Sequence, residues 1–183
     1  MEKLPKVVNT DRLIVRQYQF EDAQQLMSVI RVNLEHLRPW MPWIKDEPQS
    51  LEQKESWILN SQKDFELGSN FAYGIFLAHQ LIGGVGLHRR IGKTGIEIGY
   101  WLAEKSVGFG YMSETVEVLA AVALELDDVD HVEIHHDVTN DRSRTIPEKL
   151  GFELLEERPR EIQAANETGI ECIWRITEGF GNS

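Results

Sequence analysis

Apolar and polar positions alternate over "RLIVRQY" (12–18), the period of a strand with one buried face. Ala23, Leu26, Met27 and Ile30 then recur at helical spacing. The stretch "LEHLRPWMPWIKDEP" (34–48) keeps neither period, and its prolines and tryptophans predict broken structure. Ser50 followed by Gln53 is a capping-box pattern, opening a helix that carries Trp57 and Ile58. "FAYGIFLAH" and "LIGGVGLHR" are strand-like runs joined tightly at His79-Gln80, and "IGKTG" (91–95) turns the chain into the strand "IEIGYWLA". Helical spacing returns at Met112, Val116, Leu119, Ala120, Ala123 and Leu126. "HVEIHHDV" predicts another strand, and "NDRSRTIPEKL" a short helix stopped by Gly151. "GFELLEER" and "GIECIWRIT" close the chain as strands. Hairpin-like connections dominate, with two strand-to-helix steps, which predicts a mixed α/β fold.

At 183 residues the chain fits a single domain spanning 1–183. A hydrophobic fraction of 42% with 27% charged residues places it among soluble globular proteins. Its single cysteine, Cys172, excludes an internal disulfide and suits a reducing compartment. No apolar run reaches the length of a bilayer span, and "MEKLPKVVNTDRL" lacks the apolar core of a signal peptide. A cytoplasmic protein without membrane partners is expected. The net charge of −11 argues against nucleic-acid binding, which relies on basic surface. It suits a basic acceptor, a protein tail or a polyamine, or serves solubility alone.

Between the strand "IEIGYWLA" and the helix beginning near Tyr111 lies Val107-Gly108-Phe109-Gly110. Two nucleotide motifs fail here. A phosphate loop ending in "GKT" (92–94) would need glycine where Leu87 stands, and a strand rather than a helix follows Thr94. A dinucleotide fingerprint starting at Gly108 meets Ser113 at its third small position. What remains is a helix N-terminus with unpaired N–H groups and a partial positive charge, reached closely because glycine has no Cβ. Such a turn binds pyrophosphate with its backbone, so bland side chains are no objection.

"IGYWLAEKSVGFGYMSE", followed by "NDRSRTIPEKLGF", resembles the GNAT acyltransferase superfamily, in its RimJ/RimL-like ribosomal-protein N-acetyltransferase branch. "LRPWMPW" is similar to the acceptor-side segment of that branch, and the resemblance runs from about Thr10 to Thr177. It implies the GNAT fold, a mostly antiparallel sheet with helices on both faces, and acetyl-CoA as co-substrate without a metal. It also implies a cofactor site formed by Trp101, Leu102, Val107, Gly108, Phe109, Gly110, Tyr111, Met112 and Asn140. Departures are Val107 where Arg or Gln is usual, Phe109 for a common Lys, and Met112 for a small residue that would leave the turn wider. Lys105, Arg142 and Arg144 are candidates to restore positive charge.

Acetyl transfer to an amine needs a neutral amine, a stabilised oxyanion and a proton for the leaving thiolate. An α-amine titrates near 7.7–8.0 and a lysine near 10.4, a gap of about 3.4 kcal/mol, so an N-terminal acceptor tolerates a weak, water-relayed base. The resemblance implies Glu97 as that base, with sheet bracing as its alternative role, and Glu161 as second candidate on the acceptor side. It implies Ser143 as the acid toward the thiolate, or else a helix cap; Asn140 has the same alternative. Pro147 denies the Ser143 carbonyl its helical partner. Backbone N–H groups of Trp101-Leu102 are the expected oxyanion donors, Tyr100 and Tyr111 packing residues, and Trp40 and Trp43 walls of an acceptor groove. In "HVEIHHD", His135 and His136 point to opposite faces of a strand, which speaks against a metal site. The leading expectation is acetylation of a protein N-terminus, with a homodimer as the candidate assembly. A small-amine acetyltransferase and a non-catalytic CoA-binding module are the alternatives.

Overall fold

The computed structural model describes residues 3–177 and Gly179. Strands β1 (Val7–Asn9) and β2 (Ile14–Gln17) lead to helices α1 (Ala23–Val32), α2 (Leu34–Leu37) and α3 (Leu51–Leu67). The hairpin β3 (Asn70–Leu77) and β4 (Gln80–His88) follows, then β5 (Gly95–Leu102) and α4 (Tyr111–Leu124). β6 (His131–Asp137), α5 (Asp141–Lys149), β7 (Glu153–Pro159) and β8 (Ile170–Ile176) complete the order. β1 has three residues, too few to show a period, and the sequence pattern did not predict it. The 34–48 stretch is broken as expected, into α2 and a 3-10 turn over Pro42–Asp46.

All eight strands form one sheet in the order β1-β2-β3-β4-β5-β6-β8-β7. Every pair is antiparallel except β5 with β6. Alternation sends apolar side chains to both faces. Phe71, Tyr73, Ile75, Ile96 and Ile98 pack with Met112, Val116, Leu119 and Ala120 of α4. On the other face, Phe76 and Leu81 pack with Leu26 and Ile30 of α1 and Ile58 of α3. Ser50 and Gln53 cap α3 reciprocally, and Gly68, at φ +73°, ends it.

One feature of the register positions the site. β5 pairs with β6 only at Gly95, Ile96 and Glu97, whereas β4 follows β5 to Leu102. Beyond Glu97 the sheet therefore opens into a V. Ala103 N donates to Ile82 O at 2.8 Å, continuing the β4–β5 ladder. By antiparallel alternation the Trp101 amide faces β4, while the amides of Tyr100 and Leu102 face the opening.

Candidate active site

The glycine turn sits at the mouth of the V. Gly108 and Gly110 adopt φ +90° and +79°, a left-handed region that L side chains rarely enter. Gly110 is the N-cap of α4 and supplies no side-chain cap, so α4 presents its first N–H groups without one. A Cβ at Gly108 would meet no atom within 4 Å, so the turn is open on that side. Val107, Gly108, Gly110, Tyr111 and Met112 line a groove of about 870 Å³, which also takes in Trp101, Leu102, Asn140 and Ser143. Phe109 stands outside its lining, 59% exposed and stacked on Tyr111 at 5.6 Å. Met112 is buried in the core, so its bulk goes under the turn instead of narrowing it.

Arg12, in the turn just before β2, braces this turn from below. It donates to the Phe109 carbonyl at 2.9 Å and to Glu114 at 2.7 Å, and lies over the Tyr111 ring at 4.6 Å. Of the cations expected to restore charge, Arg142 lines the groove. Arg144 does not serve: it turns away to Glu157 at 3.5 Å and Glu148 at 3.9 Å, because the helical period puts 142 and 144 on different faces of α5.

Across the opening, α5 presents Ser143. Asn140 Oδ1 accepts the Ser143 N–H at 3.2 Å, an N-cap bond. Pro147 lies inside α5 and leaves the Ser143 carbonyl without its helical donor. The Tyr100 hydroxyl fills that role at 3.3 Å and lies 3.1 Å from Ser143 Oγ. Burial pushes the Tyr100 phenol well above its ordinary range, so it stays protonated. The turn before α5 is fixed by Asp137, which accepts from Thr139 N at 3.0 Å and Thr168 N at 2.7 Å. Burial alone would raise the Asp137 carboxyl, but these donors and the two threonine hydroxyls hold it at about 2.

A profile of the acetyltransferase (GNAT) domain matches residues 12–153. The chain belongs to the GNAT acetyltransferase family. The [ribosomal protein uS5]-alanine N-acetyltransferase of Escherichia coli (strain K12) is 28% identical over 156 residues, 82% of this chain and 80% of that one. YdaF of Bacillus subtilis (strain 168), provisionally named a ribosomal N-acetyltransferase, is 26% identical over 144 residues, 78% of each chain. The fold matches solved RimL, a ribosomal L7/L12 α-N-protein acetyltransferase in complex with coenzyme A. There the TM-score is 0.84 at 19% identity, covering 96% of this chain and 98% of that one.

The wall of the groove facing the glycine turn in this GNAT domain is built from less regular pieces. Trp40 lines the groove, while Trp43 stands behind it, its ring edge-to-face with Trp101 at 5.9 Å. His36 reaches the Leu102 carbonyl at 3.2 Å, and Asn33 Oδ1 accepts the Glu104 N–H at 2.9 Å. Asn166 N donates to Pro39 O at 3.0 Å, joining the β7–β8 connection to this segment. Glu35, Glu104 and Asp141, all exposed, give the groove an acidic rim. Glu161 is also exposed on the β7–β8 connection and is not part of the lining.

Glu97 is not brought to the groove either. Both its oxygens are held by Arg90, at 2.6 and 2.8 Å. Burial would raise its carboxyl, but the Arg90 guanidinium outweighs this and keeps it below the usual range. His135 bonds Glu133 at 2.6 Å, and His136 accepts from Trp174 Nε1 at 2.9 Å on the other face. No cluster of three His, Cys, Asp or Glu side chains among the described residues is arranged for a metal ion. Arg12, His36 and the Tyr100 hydroxyl are site features that the motifs did not single out. Only Tyr100 left a trace in the sequence, since Pro147 announced a carbonyl in need of a donor.

Proposed function

We propose that this GNAT domain moves the acetyl group of acetyl-CoA to the α-amine of a protein N-terminus. The observation that carries the proposal is the V between β5 and β6, opening beside an uncapped, glycine-lined helix N-terminus. An anionic pyrophosphate fits the α4 end, and an extended amide-bearing arm fits the Tyr100 and Leu102 amides that face the opening. The thioester then lies between Leu102 and Ser143. The Leu102 N–H is the donor for the developing oxyanion, which replaces the pair expected from Trp101 and Leu102. Ser143 Oγ is the proton source for the thiolate, with Tyr100 orienting it.

An α-amine as acceptor is supported by the relatives named for ribosomal-protein N-acetylation and by the acidic rim of the groove. It also fits the proton chemistry. Glu97, engaged by Arg90, is too weak a base for a lysine ammonium, so no proton is assigned to it. Cell extract incubated with isotope-labelled acetyl-CoA, with and without the protein, tests the proposal by peptide mapping. Label on protein N-termini is the expected result. Label only on small amines would sink the acceptor assignment and leave the acetyltransferase standing.

A further inference from the structure

We propose that His36 is the base that takes a proton from the acceptor ammonium group, an inference that rests on the acetyl-transfer reading above. His36 lies on α2, and two bonds fix that helix against the end of β5: His36 Nε2 to Leu102 O, and Asn33 Oδ1 to Glu104 N. A carbonyl only accepts, so Nε2 is the donor of this bond and Nδ1 is the ring nitrogen left to exchange a proton. The same Leu102 directs its N–H into the V, so the imidazole and the oxyanion donor belong to one rigid corner. His36 itself is half-buried and lines the groove.

The other titratable and charged groups around the groove serve this step poorly. Glu35 on the same helix is 89% exposed and pairs with Arg38, while Glu104 after β5 and Asp141 on α5 lie exposed at the rim. Arg142 and Lys105 are cations. Tyr100 is held protonated by burial and committed to Ser143, and Tyr111 is stacked under Phe109 and Arg12. Among the described residues lining the groove, His36 is the single imidazole.

The step balances as follows. The ammonium gives one proton to Nδ1, which passes it to solvent. The freed lone pair forms the N–C bond at the thioester carbonyl. As the C–S bond breaks, its electron pair leaves on sulfur, which takes a proton from Ser143 Oγ. The second proton lost by the acceptor nitrogen restores that hydroxyl. One amide, one thiol and one released proton result.

The test uses the full chain, acetyl-CoA and a short basic peptide with a free N-terminus. His36→Gln keeps a donor toward Leu102 O and removes the base. Turnover is expected to fall by roughly 100-fold, the scale of lost acid–base catalysis, with KM for the peptide little changed. The melting-temperature rise on acetyl-CoA addition should persist. Added imidazole should restore part of the turnover to His36→Ala. Wild-type turnover in His36→Gln, or a turnover loss in His36→Ala that imidazole leaves untouched, would overturn the assignment. Wild-type protein that acetylates no amine would overturn the acetyl-transfer reading first, and this one with it.

Discussion

The two walls of the groove differ in what they offer a ligand. The wall made by β5, the glycine turn and α4 offers backbone: open amides on Tyr100 and Leu102, left-handed glycines, an uncapped helix end. The wall made by α2 and the 34–48 stretch offers side chains, chiefly Trp40 and His36, and Glu35, Glu104 and Asp141 form an acidic rim around the groove. Backbone recognition depends on conformation, so Val107, Phe109 and Met112 can replace more usual residues without changing the donors. Side-chain recognition depends on identity, so one substitution there alters chemistry or selectivity. The first wall is therefore legible from local sequence, and the second is where substitutions are expected to change selectivity.

The harshest challenge to the backbone wall is Gly108→Val. Valine at φ +90° is strained, and its side chain fills the open cradle. The melting-temperature rise on acetyl-CoA addition should vanish, as thermal-shift titration would show. An undiminished rise would place the cofactor elsewhere. Ser143→Ala comes next: turnover should fall by roughly 100-fold with acetyl-CoA affinity retained, because only the transition state loses a proton donor. Equal turnover would reduce Ser143 to a residue of the α5 N-terminus.

Asp137→Asn probes the joint between the walls. Asp137 has its carboxyl at about 2 against an ordinary 3.8, so its contribution is present above the ordinary value and lost as pH falls through about 2. The replacement should cost about 2 kcal/mol at neutral pH, and the difference in melting temperature from wild type should shrink as the pH approaches 2. A pH-independent difference would mean that shape, not charge, matters at this joint. Tyr100→Phe should lower turnover about fivefold, the scale of one hydrogen bond, by loosening Ser143. Larger damage confined to acetyl-CoA affinity would make Tyr100 part of the cofactor cradle instead. The mildest effect concerns the acidic rim. Basic peptides should outcompete neutral ones by a few-fold at low salt, and raising the salt should erase the advantage. A salt-independent preference would assign selectivity to Trp40 and its apolar neighbours.

Hydrophobic periodicity located β2, α1 and α4, a capping box located α3, and turn and stop signals bounded α5 and the remaining strands, β7 among them although its residues are exposed. Gly108, Gly110 and Asn140 were legible for the same local reason: turns and caps are set by nearest neighbours in the chain. Pro147 is a sharper case, since the sequence stated that the Ser143 carbonyl lacked a donor and only the fold could name Tyr100, forty-three positions away, as that donor. Three-residue β1 escaped because too few positions define a period. The parting of β5 from β6, the Arg90 grip on Glu97, the brace of Arg12 and the approach of His36 to Leu102 were decided by tertiary structure. Each brings residues together across a turn or a long-range contact, or depends on which of two strands stops pairing first. Local propensity carries no information about either.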